Sequence, residues 1–219
     1  MVKSIILLSG GLDSLVALGC FKDKYNTEFA LTFDYGQKAA KEELETSKRI
    51  CDFYKIEHKV IKLDWLKDIT TTALVLGSDI PTANIGTKES AKEVWVPNRN
   101  GLFLNIAAAF ADAKDYVYIL FGANKDEAKN FPDNTEDFRN KACELFESST
   151  LKHPKVIAPL INYSKGDIVR IAMEKSVPLE LVRSCYDSGE KNCGKCESCT
   201  RLKNALYANG AEYLIEELF

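Results

Sequence analysis

The chain has 219 residues, 46% of them hydrophobic, and a formal net charge of −3. That is enough for one sizeable core with at most a small appendage. The acidic balance argues against a nucleic-acid partner, which usually demands a basic footprint, and no apolar run approaches the length of a membrane span. The apolar run within residues 2–8 is too short for a signal peptide and is followed at once by Ser9-Gly10-Gly11, so a buried first strand and a cytoplasmic location are expected.

After that strand, 14–22 reads as a helix. Residues 28–33 form a second strand and 38–54 a long helix, with Leu44, Ile50 and Cys51 facing in and its Lys and Glu residues facing water. Residues 58–63 give a third strand. This alternation is the mark of parallel βαβ units. Residues 69–97, rich in Thr, Gly, Pro and Asn, read as an excursion or flap. A helix rich in alanine follows at 100–113, then a strand at 116–121 ending at Gly122, a helix at 135–148 and a short strand at 155–158. The helix at 165–175 has Ser164 and Asp167 in capping-box positions, with Asp in place of the usual Glu or Gln. Beyond Pro178 the composition shifts to cysteines and charges, and a closing helix is expected at 197–207. No internal repeat is present.

Where the first strand hands over to the first helix stands Ser9-Gly10-Gly11-Leu12-Asp13-Ser14. A glycine-rich strand-to-helix turn aims backbone N–H groups at an anion, at the positive end of a helix dipole. Gly10 and Gly11 offer backbone freedom and close approach, and Ser9 and Ser14 offer hydroxyl donors. Asp13 repels phosphate unless it holds Mg²⁺ or braces the loop. The G-x-x-x-x-G-K-[ST] and G-x-G-x-x-G loops are both absent. The plain alternative is a tight turn with no ligand.

Four of the seven cysteines crowd one window, as Cys185-x7-Cys193-x2-Cys196-x2-Cys199. Four thiolates at short spacings suit a closed, structural Zn²⁺ site; a redox pair and an iron–sulfur cluster are the alternatives. Cys20, Cys51 and Cys143 fall on expected helices as small core residues.

The six-residue loop resembles the S-G-G-x-D-S loop of the ATP pyrophosphatase superfamily. That resemblance implies ATP cleavage between the α and β phosphates, a loop cradling pyrophosphate, and an adenylated acceptor from which a nucleophile displaces AMP. Together with the cysteine cluster, further stretches narrow the likeness. These are FDYGQK at 33–38, VPNRNGLFL at 96–104, GAN at 122–124, FPDNTEDF at 131–138, APL at 158–160 with Lys165 beyond, and CGKCESC at 193–199. Over nearly its whole length the chain resembles the 7-cyano-7-deazaguanine synthase family.

The likeness implies an α/β fold: a Rossmann-like parallel sheet flanked by helices, of the adenine nucleotide alpha hydrolase type. Residues 1–177 would form the ATP pyrophosphatase domain and 178–219 a four-cysteine zinc extension packed on it. The implied reaction makes a nitrile from 7-carboxy-7-deazaguanine, ammonia and ATP through two adenylations, with Mg²⁺ and structural Zn²⁺ as cofactors, in a homodimer. In the implied site, Ser9, Gly10, Gly11, Leu12, Asp13 and Ser14 hold ATP, and Asp13, Ser14 and Lys165 serve catalysis. Tyr35, Gln37, Asn98, Arg99, Asn100, Phe131 and Asp133 meet the acceptor, and Cys185, Cys193, Cys196 and Cys199 bind metal. Plainer roles stand beside these. Arg99 can make a surface ion pair, Asn98, Asn100 or Asp133 can cap helices, and Lys165 can be solvated. Lys38 and Ala39 replace an Arg-His pair common in the family, Phe131 replaces a tyrosine, and 125–130 is more charged than expected. Two rival functions remain: an adenylating enzyme with another acceptor (a tRNA thiolase or small-molecule amidotransferase), and a non-catalytic nucleotide- and zinc-binding module.

Overall fold

A computed structural model describes residues 2–75, 79–82 and 86–219. Five parallel strands form one sheet: β1 (Ser4–Leu7), β2 (Thr27–Asp34), β3 (Glu57–Lys62), β4 (Tyr118–Leu120) and β5 (Lys155–Ile157), in the order β3-β2-β1-β4-β5. The central strands read as continuous apolar runs because helices cover both faces. Successive residues alternate between two cores. Ile6, Leu8 and Ala30 enter one, and Ile5, Leu7, Phe29 and Leu31 enter the other. Edge strand β3 is largely exposed and guarded by Lys59 and Lys62.

The first core is closed by α1 (Leu12–Tyr25), α2 (Ala40–Tyr54), α7 (Lys165–Glu174), α8 (Glu197–Tyr207) and α9 (Tyr213–Leu218). The second is closed by α5 (Arg99–Lys114) and α6 (Glu136–Ser149), with the short α3 (Asp64–Asp68) and α4 (Lys88–Glu93) nearby. Ala107, Ala108 and Ala111 give α5 a smooth buried face, so it lies close against β1 and β4. The capping box at α7 is present: Ser164 Oγ accepts from Asp167 N at 3.2 Å, and Asp167 Oδ2 accepts from Ser164 N at 3.1 Å.

Leu202, Leu206, Leu214 and Leu218 pack into the same core as Leu15, Val16 and Ile168. The cysteine-bearing segment therefore shares its hydrophobic interior with the sheet. The excursion at 69–97 contains α4, capped by Thr87, which the composition concealed; its residues 76–78 and 83–85 lie outside the described residues. No helix among the described residues is long and apolar enough to cross a membrane.

In this strand order the connections from β1 and β4 diverge to opposite sides of the sheet. The crevice outside their carboxyl ends is where open α/β sheets receive ligands.

Candidate active site

The loop after β1 fills one side of that crevice. Gly10 has φ +78°, the left-handed region that favours glycine, whereas Gly11 has an ordinary extended conformation at φ −73°. Of the two glycines only Gly10 needs its backbone freedom, contrary to the symmetrical expectation. Gly11 is the N-cap of α1, yet no side chain caps that helix end. Its first N–H groups are therefore left facing the crevice. Ser14 Oγ donates to the Gly11 carbonyl at 3.1 Å and lies 3.3 Å from both Ser9 N and Ser9 Oγ, which fixes the turn. Gly122, at the end of β4, allows the second side of the crevice to close. A Cβ there would lie 2.9 Å from Ser14 N.

Behind the loop, four side chains meet from distant parts of the chain. Lys165 Nζ lies 2.6 Å from Asp13 Oδ2 and 2.9 Å from Glu127 Oε1. Asn124 Nδ2 donates to Asp13 Oδ2 at 3.0 Å, while Asn124 Oδ1 accepts from the backbone N–H groups of Asp126 and Glu127. Burial raises the Asp13 carboxyl above its ordinary range, against the pull of Lys165. Burial also acts on Glu127, but there Lys165 prevails and the pKa is lowered. The two carboxylates hold the Lys165 ammonium charged. Asp13 Oδ1 is buried with no hydrogen-bond partner among the described residues. A free carboxylate oxygen beside an anion loop is the hard donor that Mg²⁺ takes.

Asp13, Glu127 and Lys165 line a cavity of about 210 Å³, together with Tyr35, Glu43, Arg99, Asn100 and Arg183. Arg99 Nη1 donates to the Tyr35 hydroxyl at 3.0 Å. A smaller cavity of about 40 Å³ adjoins it, lined by Trp95, Phe131 and Asp133, and the two share Arg99, Glu127, Asn134 and Tyr186 as a common wall. Trp95 and Phe131 stack with centroids 6.1 Å apart and planes 11° apart, a flat apolar slot beside a carboxylate and a guanidinium.

Of the sequence-predicted residues, Ser9, Gly11, Leu12, Asp13, Ser14, Lys165, Tyr35, Arg99 and Asn100 line the large cavity, and Phe131 and Asp133 line the small one. Gly10 turns the loop and gives its carbonyl to Arg183 N at 2.9 Å. Two residues stand elsewhere. Asn98 is exposed, in a left-handed conformation at the start of α5, and makes no side-chain cap. Gln37 is buried behind the wall: its carbonyl accepts from Tyr35 N at 3.0 Å, and its amide donates to Phe33 O at 3.1 Å and to Glu43 Oε2 at 2.8 Å.

The reading of the residues missed Glu43, Asn124, Glu127 and Arg183. Glu43 was assigned to the wet face of α2, yet its carboxyl lines the cavity. Asn124 was within reach, because GAN follows β4 at the carboxyl edge of the sheet.

The four cysteines converge. Their Sγ atoms all lie within 4.8 Å of one another, and Cys193 and Cys199 are 3.9 Å apart. A tetrahedron with Zn–S bonds of about 2.3 Å has edges of about 3.8 Å, so the set fits one tetrahedral ion and is too tight to enclose a multi-iron cluster. Cys185 Sγ accepts from the backbone N–H groups of Asp187 and Cys193, and Cys193 Sγ from those of Lys195 and Cys196, at 3.3–3.4 Å. Such donors stabilise thiolate ligands. The same segment supplies Arg183, Ser184, Tyr186 and Ser198 to the cavity wall.

Residues 3–210 match the family model described as "Queuosine biosynthesis protein QueC". The chain belongs to the QueC family. It is 45% identical to a 7-cyano-7-deazaguanine synthase of Methanosarcina barkeri, with 99% of each chain covered. To the 7-cyano-7-deazaguanine synthase of Carboxydothermus hydrogenoformans it is 46% identical, over 95% of this chain and 100% of that one. Among solved structures, a predicted subunit of tRNA methyltransferase from Methanocaldococcus jannaschii superposes with a TM-score of 0.50 at 17% identity, covering 96% of this chain and 89% of that one. That likeness is one of fold.

Proposed function

We propose that this QueC-family chain is an ATP-dependent 7-cyano-7-deazaguanine synthase, converting 7-carboxy-7-deazaguanine and ammonia to the nitrile. The observation that carries the reading is the common wall of the two cavities. An uncapped helix N-terminus built for phosphate shares Arg99 with a flat slot built for a heterocyclic acid.

The turn at Ser9–Ser14 receives the β and γ phosphates as leaving pyrophosphate, with the N–H groups of α1 and the Ser9 hydroxyl as donors while Ser14 braces the turn through Gly11 O. Lys165, fixed by Asp13 and Glu127, sets a positive charge beside the phosphates. The free oxygen of Asp13 suits Mg²⁺, which would neutralise phosphate charge. Arg99 holds the acceptor carboxylate by a two-pronged contact, Phe131 and Trp95 stack on the deazapurine, and Asp133 accepts from its guanine-like N–H edge. The carboxylate attacks the α-phosphorus, ammonia displaces AMP to give the amide, and the amide oxygen is adenylated in turn before AMP leaves with formation of the nitrile. Zinc held by Cys185, Cys193, Cys196 and Cys199 would be structural, since four thiolates leave no open position. A homodimer in the cytoplasm, with 178–219 as the zinc-binding extension of 1–177, belongs to the same proposal.

The test is one incubation of the protein with ATP, Mg²⁺, ammonium and 7-carboxy-7-deazaguanine, read by mass spectrometry. Nitrile and AMP are expected. AMP without nitrile would displace the acceptor assignment, and ADP would contradict the chemistry altogether.

A further inference from the structure

Three acids of the described residues line the large cavity: Asp13, Glu43 and Glu127. Two of them are engaged, since Asp13 and Glu127 are both ion-paired to Lys165. Among the described residues no cation is bonded to Glu43. Gln37 fixes its Oε2 from behind at 2.8 Å, and Gln37 is itself held by Phe33 O and Tyr35 N. The carboxyl is therefore placed by a side chain that cannot swing.

Two arginines flank it at a distance. Arg99, from α5, faces the acceptor slot and spends its bond on Tyr35. Arg183 abuts the glycine loop; its Nη2 donates to Asp187 O at 2.7 Å and its Nε has no partner. Tyr35 and Glu42 complete the charged and titratable groups around Glu43. Glu43 thus lines the same cavity as the glycine loop and Arg99, the guanidinium that also lines the acceptor slot. Neither histidine lines the cavity.

We propose that Glu43 is the proton acceptor for the nitrogen chemistry. This rests on the synthase reading above. When ammonia adds to the carbonyl carbon of the acyl adenylate, a C–N bond forms, one N–H proton passes to Glu43, and the C–O bond to AMP breaks. After the amide oxygen is adenylated, the two remaining N–H protons leave through Glu43. The nitrogen electrons then form the third C–N bond as the second C–O bond to AMP breaks. Between steps the proton passes to solvent.

A carboxyl suits this work only if its affinity for protons is near that of the medium. Burial pushes Glu43 up to about 7, against the pull of Gln37, Arg99 and Arg183. The first adenylation removes no N–H proton and needs no base, so the assignment divides the reaction.

The test is Glu43→Gln, with pyrophosphate–ATP exchange dependent on 7-carboxy-7-deazaguanine measured beside amide and nitrile formation. Formation of both products should fall ~100-fold or more, the usual scale of a lost general base, while exchange falls far less. The wild-type rate at saturating ammonium should decline below about pH 7, the folded value of Glu43, and that acid limb should be missing from the variant. Glu43→Asp should restore part of the rate with the limb displaced. Nitrile formation within about threefold of wild type, an unchanged limb, or a parallel loss of exchange and nitrile in a protein of normal zinc content would overturn the assignment. If Glu43→Gln does not fold, Glu43→Asp decides, since an unmoved limb there excludes Glu43. No exchange in the wild type would overturn the synthase reading and this proposal with it, an outcome distinct from all the others.

Discussion

The backbone N–H of Arg183 donates to the carbonyl of Gly10 at 2.9 Å, joining the approach to the cysteine cluster with the turn that opens the phosphate loop. Cys185 stands two residues further on, and Ser184, Tyr186 and Ser198 line the same cavity. The cysteine-bearing segment thus forms one wall of the cavity. Removing zinc with a chelator, or by Cys196→Ala, should weaken binding of ATP by tenfold or more while the sheet keeps its circular dichroism. Calorimetric titration checks it; a zinc-free protein with wild-type affinity would break the connection.

Asp13 and Lys165 should part company on mutation. Asp13→Ala leaves Lys165 paired to Glu127 and removes a carboxyl whose burial opposes its charge. Stability should change little, while AMP formation falls at least ~1,000-fold, on the scale of a lost transition-state electrostatic contact. Lys165→Met strands two acids without their cation, so about 3–5 kcal/mol of stability should go as well. Denaturant melts and AMP release separate the two cases, and equal stability losses would refute the arrangement.

Gly122→Ala inserts a Cβ within 2.9 Å of Ser14 N and 3.1 Å of its Cα. Backbone cannot yield as a flexible side chain can. The N-terminus of α1 should shift, and affinity for ATP should drop ~10-fold or more with the hydrophobic cores intact. Unaltered nucleotide binding would mean that this approach is not part of the site.

Glu43→Gln has a second consequence, in stability. The folded pKa is about 7 against an ordinary 4.5, so the folded state favours the protonated form. The stability this carries is fully present below the ordinary value and is lost as pH rises through about 7. Glutamine mimics the protonated form. The variant should therefore be more stable than wild type at pH 8, by ~1–3 kcal/mol, with the gap closing toward pH 5. Chemical denaturation at the two pH values tests the sign, and a gap that widens on acidification would reverse the argument.

Trp95→Ala removes one face of the stacked pair with Phe131. Michaelis constants should divide: tenfold or more higher for the acid, within about twofold for ATP, since base-on-aromatic stacking is worth ~1–3 kcal/mol. Equal changes in both would place Trp95 outside the acceptor slot.

The order of strands and helices was legible because burial on both faces writes apolar runs at Ile5–Leu8 and Phe29–Leu31. The strand-to-helix turn at Ser9–Ser14 was legible because paired glycines at a strand end break both patterns. Glu43 was not. It sits in a helix whose Lys and Glu residues have the spacing of a wet face, and periodicity cannot tell open water from a water-filled cavity. The meeting of Asp13 with Asn124 and Lys165 depends on β4 lying beside β1, a pairing that no local pattern records. Asn98 shows the opposite failure. It neighbours Arg99 in sequence, but its left-handed backbone turns it to the surface. Short α4 and α9 escaped because one turn and a half of helix leaves too brief a pattern.

The walls of the cavity come from the beginning of the chain at Ser9–Ser14 and from near its end at Arg183–Ser198. During synthesis the first of these emerges long before the second. A growing polypeptide therefore displays its glycine turn on the ribosome with one side of the cavity still missing, and the cavity is walled only once the cysteine-bearing segment has emerged.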